Sequence, residues 1–213
     1  EAARHTDKSY RNTAMRLASK LPGEEITSKW MEFFYKAPDY SKPEIIAMLT
    51  ERKNIKALPL ITSSLDNPIF EVRKEAVNAI VVFKGKEAIK DITSYMMKHT
   101  EENDQEIAKN ALMTITGSKD LPILLPVLKE GPPQAKKTVI EILAWSKQSD
   151  YFQTVLPYIF SDVEYLITAA YKALPELVSP SDQEIIIELI SQNSNPVYIA
   201  DLQIALSNAA NKI

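Results

Sequence analysis

Apolar positions in this chain recur on two nested scales. Within segments of about 12 to 18 residues they follow the 3.6-residue spacing of an amphipathic helix. No segment shows the sustained period-2 alternation of a strand. On the longer scale, Trp30, Ile61, Ile92, Leu124, Val155 and Ile186 are separated by 31, 31, 32, 31 and 31 residues. Four residues beyond each lie Phe34, Leu65, Met96, Leu128, Ile159 and Ile190, all apolar. These columns mark the first helix (A) of six successive helix pairs. A second set marks the partner helix (B): Val72, Ile107, Ala135 and Leu166, then Ala76, Ala111, Val139 and Ala170, then Ile80, Ile115, Leu143 and Leu174. Their i, i+4, i+8 spacing predicts one buried stripe per B helix. An additional B-type helix is predicted near residues 4–20, with Tyr10, Ala14, Leu17 and Leu21 inward.

Punctuation agrees with this division. Gly23, Gly85, Gly117 and Gly131 each fall where one periodic run stops and the next begins. Asn67-Pro68, Pro132-Pro133, Ser179-Pro180 and Asn195-Pro196 are turn and helix-start signals. The segment His99–Asn103 reads as a longer loop, and Pro122 with Pro126 reads as a bend within an A helix. One short helix pair cannot bury its stripe alone, so repetition at this period predicts stacked pairs sharing a continuous core. The expected architecture is all-α: a right-handed α-solenoid of about six antiparallel pairs. A single domain over 1–213 would hold an N-terminal helix in 1–23 and pairs in 24–54, 55–85, 86–117, 118–148, 149–180 and 181–213.

The segment Ala57–Ile80, ALPLITSSLDNPIFEVRKEAVNAI, resembles a short HEAT repeat of the kind found in PBS-lyase-type HEAT-like proteins. The resemblance lies in Leu58-Pro59-Leu60-Ile61, Leu65, Asp66-Asn67-Pro68, Val72-Arg73 and Ala76. Leu121-Pro122-Ile123-Leu124 repeats the opening, whereas only the second repeat carries Val-Arg. The resemblance implies the HEAT/armadillo-like superhelix and says little about function. It implies that Arg73 bonds a carboxylate or a helix-end carbonyl. It also brings three relatives' activities into view: iron-dependent hydroxylation through His-Glu pairs, of which this chain has none; handling of a bilin chromophore, for which no pocket is legible; and DNA glycosylase chemistry, for which Trp30, Trp145 and Asp150 are the candidate residues.

Composition narrows the chemistry. The chain has 213 residues and no Cys, so thiolate metal sites, disulfides and cysteine nucleophiles are excluded. Its two histidines, His5 and His99, are far apart and lack ligand-spaced partners. There is no Gly-x-Ser-x-Gly elbow and no Gly-rich phosphate loop. Lys+Arg 25 against Asp+Glu 28 leaves a net charge of -3. Residues 1–109 carry +1 and the remainder -4, so neither half offers the basic face that phosphate backbones require. No nucleic acid, membrane, metal or cofactor is therefore expected, and no catalytic residue is assigned.

What remains is a non-enzymatic scaffold whose B-helix face binds a protein or peptide, with a HEAT-like DNA glycosylase, or a spacer or accessory domain of a larger, exported bacterial enzyme, as the alternatives. Two candidate contact sets lie on that face. Lys74, Lys109 and Lys137 occupy equivalent positions two residues beyond the B column, with Lys172 one turn further. Stacking at about 10 Å per helix would sum their fields toward an acidic segment. Tyr165 and Tyr171 stand out among the C-terminal aromatics as a second set. The helix Val197–Ala210 is apolar on several faces, predicting a surface that is covered by further repeats, a fused domain beyond Ile213 or self-association. An opening Glu1-Ala2-Ala3 without Met reads as a segment of a longer chain, and the lack of Cys suits an exported or periplasmic parent.

Overall fold

The computed structural model describes residues 2–211; Glu1, Lys212 and Ile213, and with them the expectations about how the chain begins and continues, lie outside the described residues. Among the described residues every regular element is helical. Backbone packing divides the chain into two compact units that meet between Tyr95 and Met96.

The first unit holds α1 (Lys8–Ser19), α2 (Glu24–Phe34), α3 (Lys42–Arg52), α4 (Leu58–Ser64), α5 (Phe70–Lys84) and the start of α6 (Ala88–Lys98). Helices α1, α3 and α5 lie side by side in one layer, with α2 packed on α3 and α4 on α5. The core is built from Ile45, Ile46, Leu49, Ile61, Val72, Ala76 and Ile80, each fully buried. Arg73 donates to the carbonyls of Asn67 and Pro68, both at 3.0 Å, in the turn before its own helix.

The second unit holds α7 (Glu102–Ile115), α8 (Leu125–Glu130), α9 (Pro133–Ser146), α10 (Phe152–Val155), α11 (Glu164–Leu177), α12 (Gln183–Gln192) and α13 (Pro196–Asn211). Its B layer runs α7, α9, α11, α13, each packed on the next, while α8, α10 and α12 pack on α9, α11 and α13. Each predicted segment from 24–54 to 181–213 thus contains two α-helices.

Proline decides how the A helices begin. Pro122 and Pro126 do not bend one helix: they sit in the first turns of a 3-10 segment, Leu121–Leu124, and of α8 in turn. A ring without an N–H is tolerated at a helix start, where that donor would be unpaired anyway. Pro157 likewise opens the 3-10 segment Leu156–Phe160 after α10. Gly131 ends α8 where a Cβ would stand 2.6 Å from the Val127 carbonyl, a contact only glycine avoids.

Several sequence-based expectations shift by a residue or more. Helix α1 begins at Lys8, not residue 4, and buries Arg11, Met15 and Ala18, whereas Tyr10, Leu17 and Leu21 are exposed. The reason is Arg11. Its guanidinium takes both carboxylate oxygens of Glu44 at 2.7 and 2.8 Å and donates to the carbonyls of His5 and Thr6. Its flat face lies 4.6 Å from the Tyr40 ring. The pair turns the Arg11 side of α1 inward. Helix α7 buries Asp104, Ala108 and Leu112, a stripe in which Ala108 and Leu112 directly follow the predicted Ile107 and Ala111; Ile107, Ala111 and Ile115 are half-buried. It starts at Glu102, so the connection is His99–Glu101 and shorter than expected. Trp30 and Ile190 are half-buried while the other ten A-column residues are buried. In α13 Leu202, Ala205 and Ala209 are buried; Val197 and Ile204 are exposed.

Candidate binding groove

Three neighbouring B helices of the second unit, α7, α9 and α11, present their outward turns to a common groove. A hollow of about 390 Å³ between α7 and α9 is lined by Gln105, Glu106, Lys109, Gln134, Lys137, Thr138 and Glu141, and is closed at one side by Tyr165. An adjoining hollow of about 440 Å³ shares Lys137, Glu141 and Tyr165 and extends to Thr168 and Lys172 on α11.

The floor is a buried polar tie. Gln105 donates through Nε2 to the Met96 and His99 carbonyls at 2.7 and 2.8 Å, satisfying acceptors left open at the end of α6. Its Oε1 accepts from Thr138 Oγ1 at 2.7 Å, which fixes α7 against α9. Above this floor runs a chain of alternating charge. Lys109 Nζ lies 2.6 Å from Glu106 and 3.0 Å from Glu141; Glu141 in turn faces Lys137 Nζ at 3.7 Å. Burial opposes the charge on Lys109, but its hydrogen bonds to Glu106 and Glu141 outweigh that and raise its pKa. Lys109 holds Glu106 below the ordinary carboxylate range.

The structure brings together four of the six predicted contact residues: Lys109, Lys137, Tyr165 and Lys172 all line these hollows. The other two are not in the lining. Lys74 is exposed on α5 of the first unit, so the three-lysine ladder is not assembled within one unit. Tyr171 is buried at 5% exposure, not open for contact. Its ring stacks on Tyr198 at 4.2 Å and 8°, and its hydroxyl accepts from Asn193 Nδ2 at 2.7 Å. Tyr165, six residues earlier on the same helix, is 38% exposed. The additive positive field is also corrected. Four lining carboxylates, Glu102, Glu106, Glu141 and Glu164, face three lysines. Lys109 is held by two of them, which leaves Lys137 and Lys172 as the more available cations.

The residues considered for nucleotide handling do not form a site. Trp30 lines a hollow in the first unit with no carboxylate in its wall, while Trp145 and Asp150 are both exposed on the second unit, at the end of α9 and in the turn after it. No three His, Asp or Glu side chains converge to hold a metal among the described residues. No helix of the described residues is long and apolar enough to cross a membrane. The sequence reading missed Gln105, Thr138 and Glu106, which lie outside the predicted stripes.

No family model and no curated protein sequence matches the chain. Solved structures similar to it include the complex of CpcE and CpcF of phycocyanin lyase from Nostoc sp. PCC7120, at 14% identity and TM-score 0.45, covering 98% of this chain and 92% of that one. Human deoxyhypusine hydroxylase in complex with glycerol matches at 10% identity and TM-score 0.46, covering 97% and 81%. An engineered protein matches at 16% identity and TM-score 0.43, covering 99% and 94%. At these values none of the three specifies what this chain binds or does.

Proposed function

We propose that this protein is a non-enzymatic binding scaffold of HEAT-like helix pairs, arranged as an α-solenoid, whose α7–α9–α11 face takes an extended segment of another protein. The observation that carries the reading is the pair of contiguous hollows, which give a polar trough across three successive helices with Tyr165 at its centre. An exposed tyrosine beside a trough supplies rigid contact area with a polar tip. Lys137 and Lys172 supply charge at two points along it, favouring a segment with acidic residues at matching spacing. The paired Glu141 and Glu106 disfavour a uniformly acidic partner, because like charge would meet them.

Selection from a displayed random peptide library on the intact protein tests this. Enriched peptides are expected to carry acidic residues, to bind more weakly as salt rises from low to moderate, and to lose affinity to Lys137→Glu, Lys172→Glu and Tyr165→Ala. Peptides that bind all three variants as well as the parent would overturn the assignment. A selection that enriches nothing would favour the spacer reading.

A further inference from the structure

The first unit contains a hollow whose walls are of the opposite character. Ala2 and Ala3, Ala14 of α1, Leu21 in the following turn, and Ile26, Trp30 and Phe33 of α2 line about 370 Å³, with Lys29 the one charged side chain in the lining. Trp30 occupies the same column as Ile61, Ile92, Leu124, Val155 and Ile186, all of which are fully buried. Trp30 alone of the six is only half-buried. Its indole is large enough to fill the space an aliphatic anchor fills, yet it borders an open apolar space because α1 offers only the methyl of Ala14 there. Trp30 and Phe33 meet edge to face at 5.7 Å, which fixes both rings as walls.

One cation, Lys29, stands in the lining. Lys29 is exposed and makes no ion pair among the described residues, although Glu25 and Glu32 lie on the same helix. Arg4 holds its guanidinium 5.5 Å from the centroid of the Phe33 ring. An apolar space walled by two aromatic rings and edged by the Lys29 ammonium is complementary to a molecule with an apolar body and one anionic head. We infer that this hollow is a binding site for a small amphiphilic carboxylate, with the alkyl or aryl body against Trp30 and Phe33 and the carboxylate at Lys29. The inference concerns the first unit and does not rest on the groove of α7, α9 and α11, so either can fail without the other.

Trp30 is its own reporter. In a Trp145→Phe background it is the remaining indole, and titration with octanoate and decanoate, each below its micelle concentration, is read by Trp30 emission. Saturable change is expected, with affinity rising roughly fourfold per methylene buried. Octanol is expected to bind without depending on Lys29, whereas Lys29→Glu weakens octanoate by up to roughly fivefold. Ala14→Leu, which fills the space with a good helix former, is expected to abolish both. Circular dichroism melts of each variant verify folding. No saturable change into the millimolar range, binding that survives Ala14→Leu, or octanoate and octanol responding alike to Lys29→Glu would each overturn the assignment. So would a Trp30 change that follows protein concentration alone, which would place a second copy in the hollow.

Discussion

Arg52 is the residue on which the α1–α2 connection depends, and removing it makes the sharpest test of the packing described above. Its Nε donates to Thr27 Oγ1 at 3.0 Å; Nη1 reaches the carbonyls of Ala18, Ser19 and Leu21 at 2.9, 3.3 and 2.6 Å; Nη2 reaches Gly23 at 2.8 Å. One guanidinium thus gathers the open carbonyls at the end of α1 and the turn leading into α2. Arg52→Ala leaves these acceptors unequally placed. Ala18 and Thr27 are buried, while Ser19, Leu21 and Gly23 are half-buried or exposed and can turn to water. Stranding the two buried acceptors at about 1–1.5 kcal/mol each gives a loss of about 2–3 kcal/mol. For a chain of this size that corresponds to a fall in Tm of about 5–10 °C. Arg52→Lys keeps the charge but loses the planar fork, so it is expected to recover less than half. The assay is urea unfolding read by Trp30 emission in the Trp145→Phe background, which reports the first unit by itself. A loss below about 0.5 kcal/mol for Arg52→Ala would show that water replaces the guanidinium at all of its acceptors, and the clamp would be a crystal-clear geometry with no energetic weight.

Four further outcomes follow from particular contacts. Glu75 is pushed up by desolvation, partly offset by its hydrogen bond to Asn78, so its ionisation opposes folding. A carboxyl with a raised native pKa favours the native state at low pH and loses that contribution as pH rises through the unfolded value near 4.3 to the native one; Glu75→Gln should therefore raise Tm at pH 7 and leave it unchanged below about pH 4. Lys53 and Lys147 end α3 and α9 with φ of 51° and 55°, so replacing either by Gly should stabilise by about 0.5–1 kcal/mol in chemical denaturation. Ala76 is fully buried, and Ala76→Leu should cost about 1–3 kcal/mol by overpacking; an unchanged melt would mean that α5 is set in the wrong register. Gln105→Leu should cost about 2–3 kcal/mol, because it strands the Met96 and His99 carbonyls and the Thr138 hydroxyl, and Thr138→Val should cost less because Gln105 keeps two of its partners.

The period of the chain was legible from its residues alone. Each predicted segment from 24–54 on holds two α-helices, and ten of the twelve A-column residues are buried, because burying a stripe at 3.6-residue spacing is a local requirement that any stacked pair must meet. Lys109, Lys137, Lys172 and Tyr165 line common hollows for the same reason: nearby positions on adjacent B helices project to one face. Phase was another matter. In α1 the sequence offers two stripes one residue apart, Tyr10-Ala14-Leu17 and Arg11-Met15-Ala18, and the more apolar is the one left outside. In α7 the choice between Ile107-Ala111-Ile115 and Asp104-Ala108-Leu112 goes the same way. In both helices a polar side chain enters the protein because its partner waits on another element: Glu44 on α3 for Arg11, and for Gln105 the Thr138 hydroxyl on α9 and the carbonyl of Met96 on α6. A buried polar group is tolerated only where it is satisfied, and those partners lie from 9 to 33 residues away in the chain. The same pairing consumed the charge of Lys109: its position was set by helix periodicity, but its neutralisation by Glu141, 32 residues on, was set by the packing of α7 against α9.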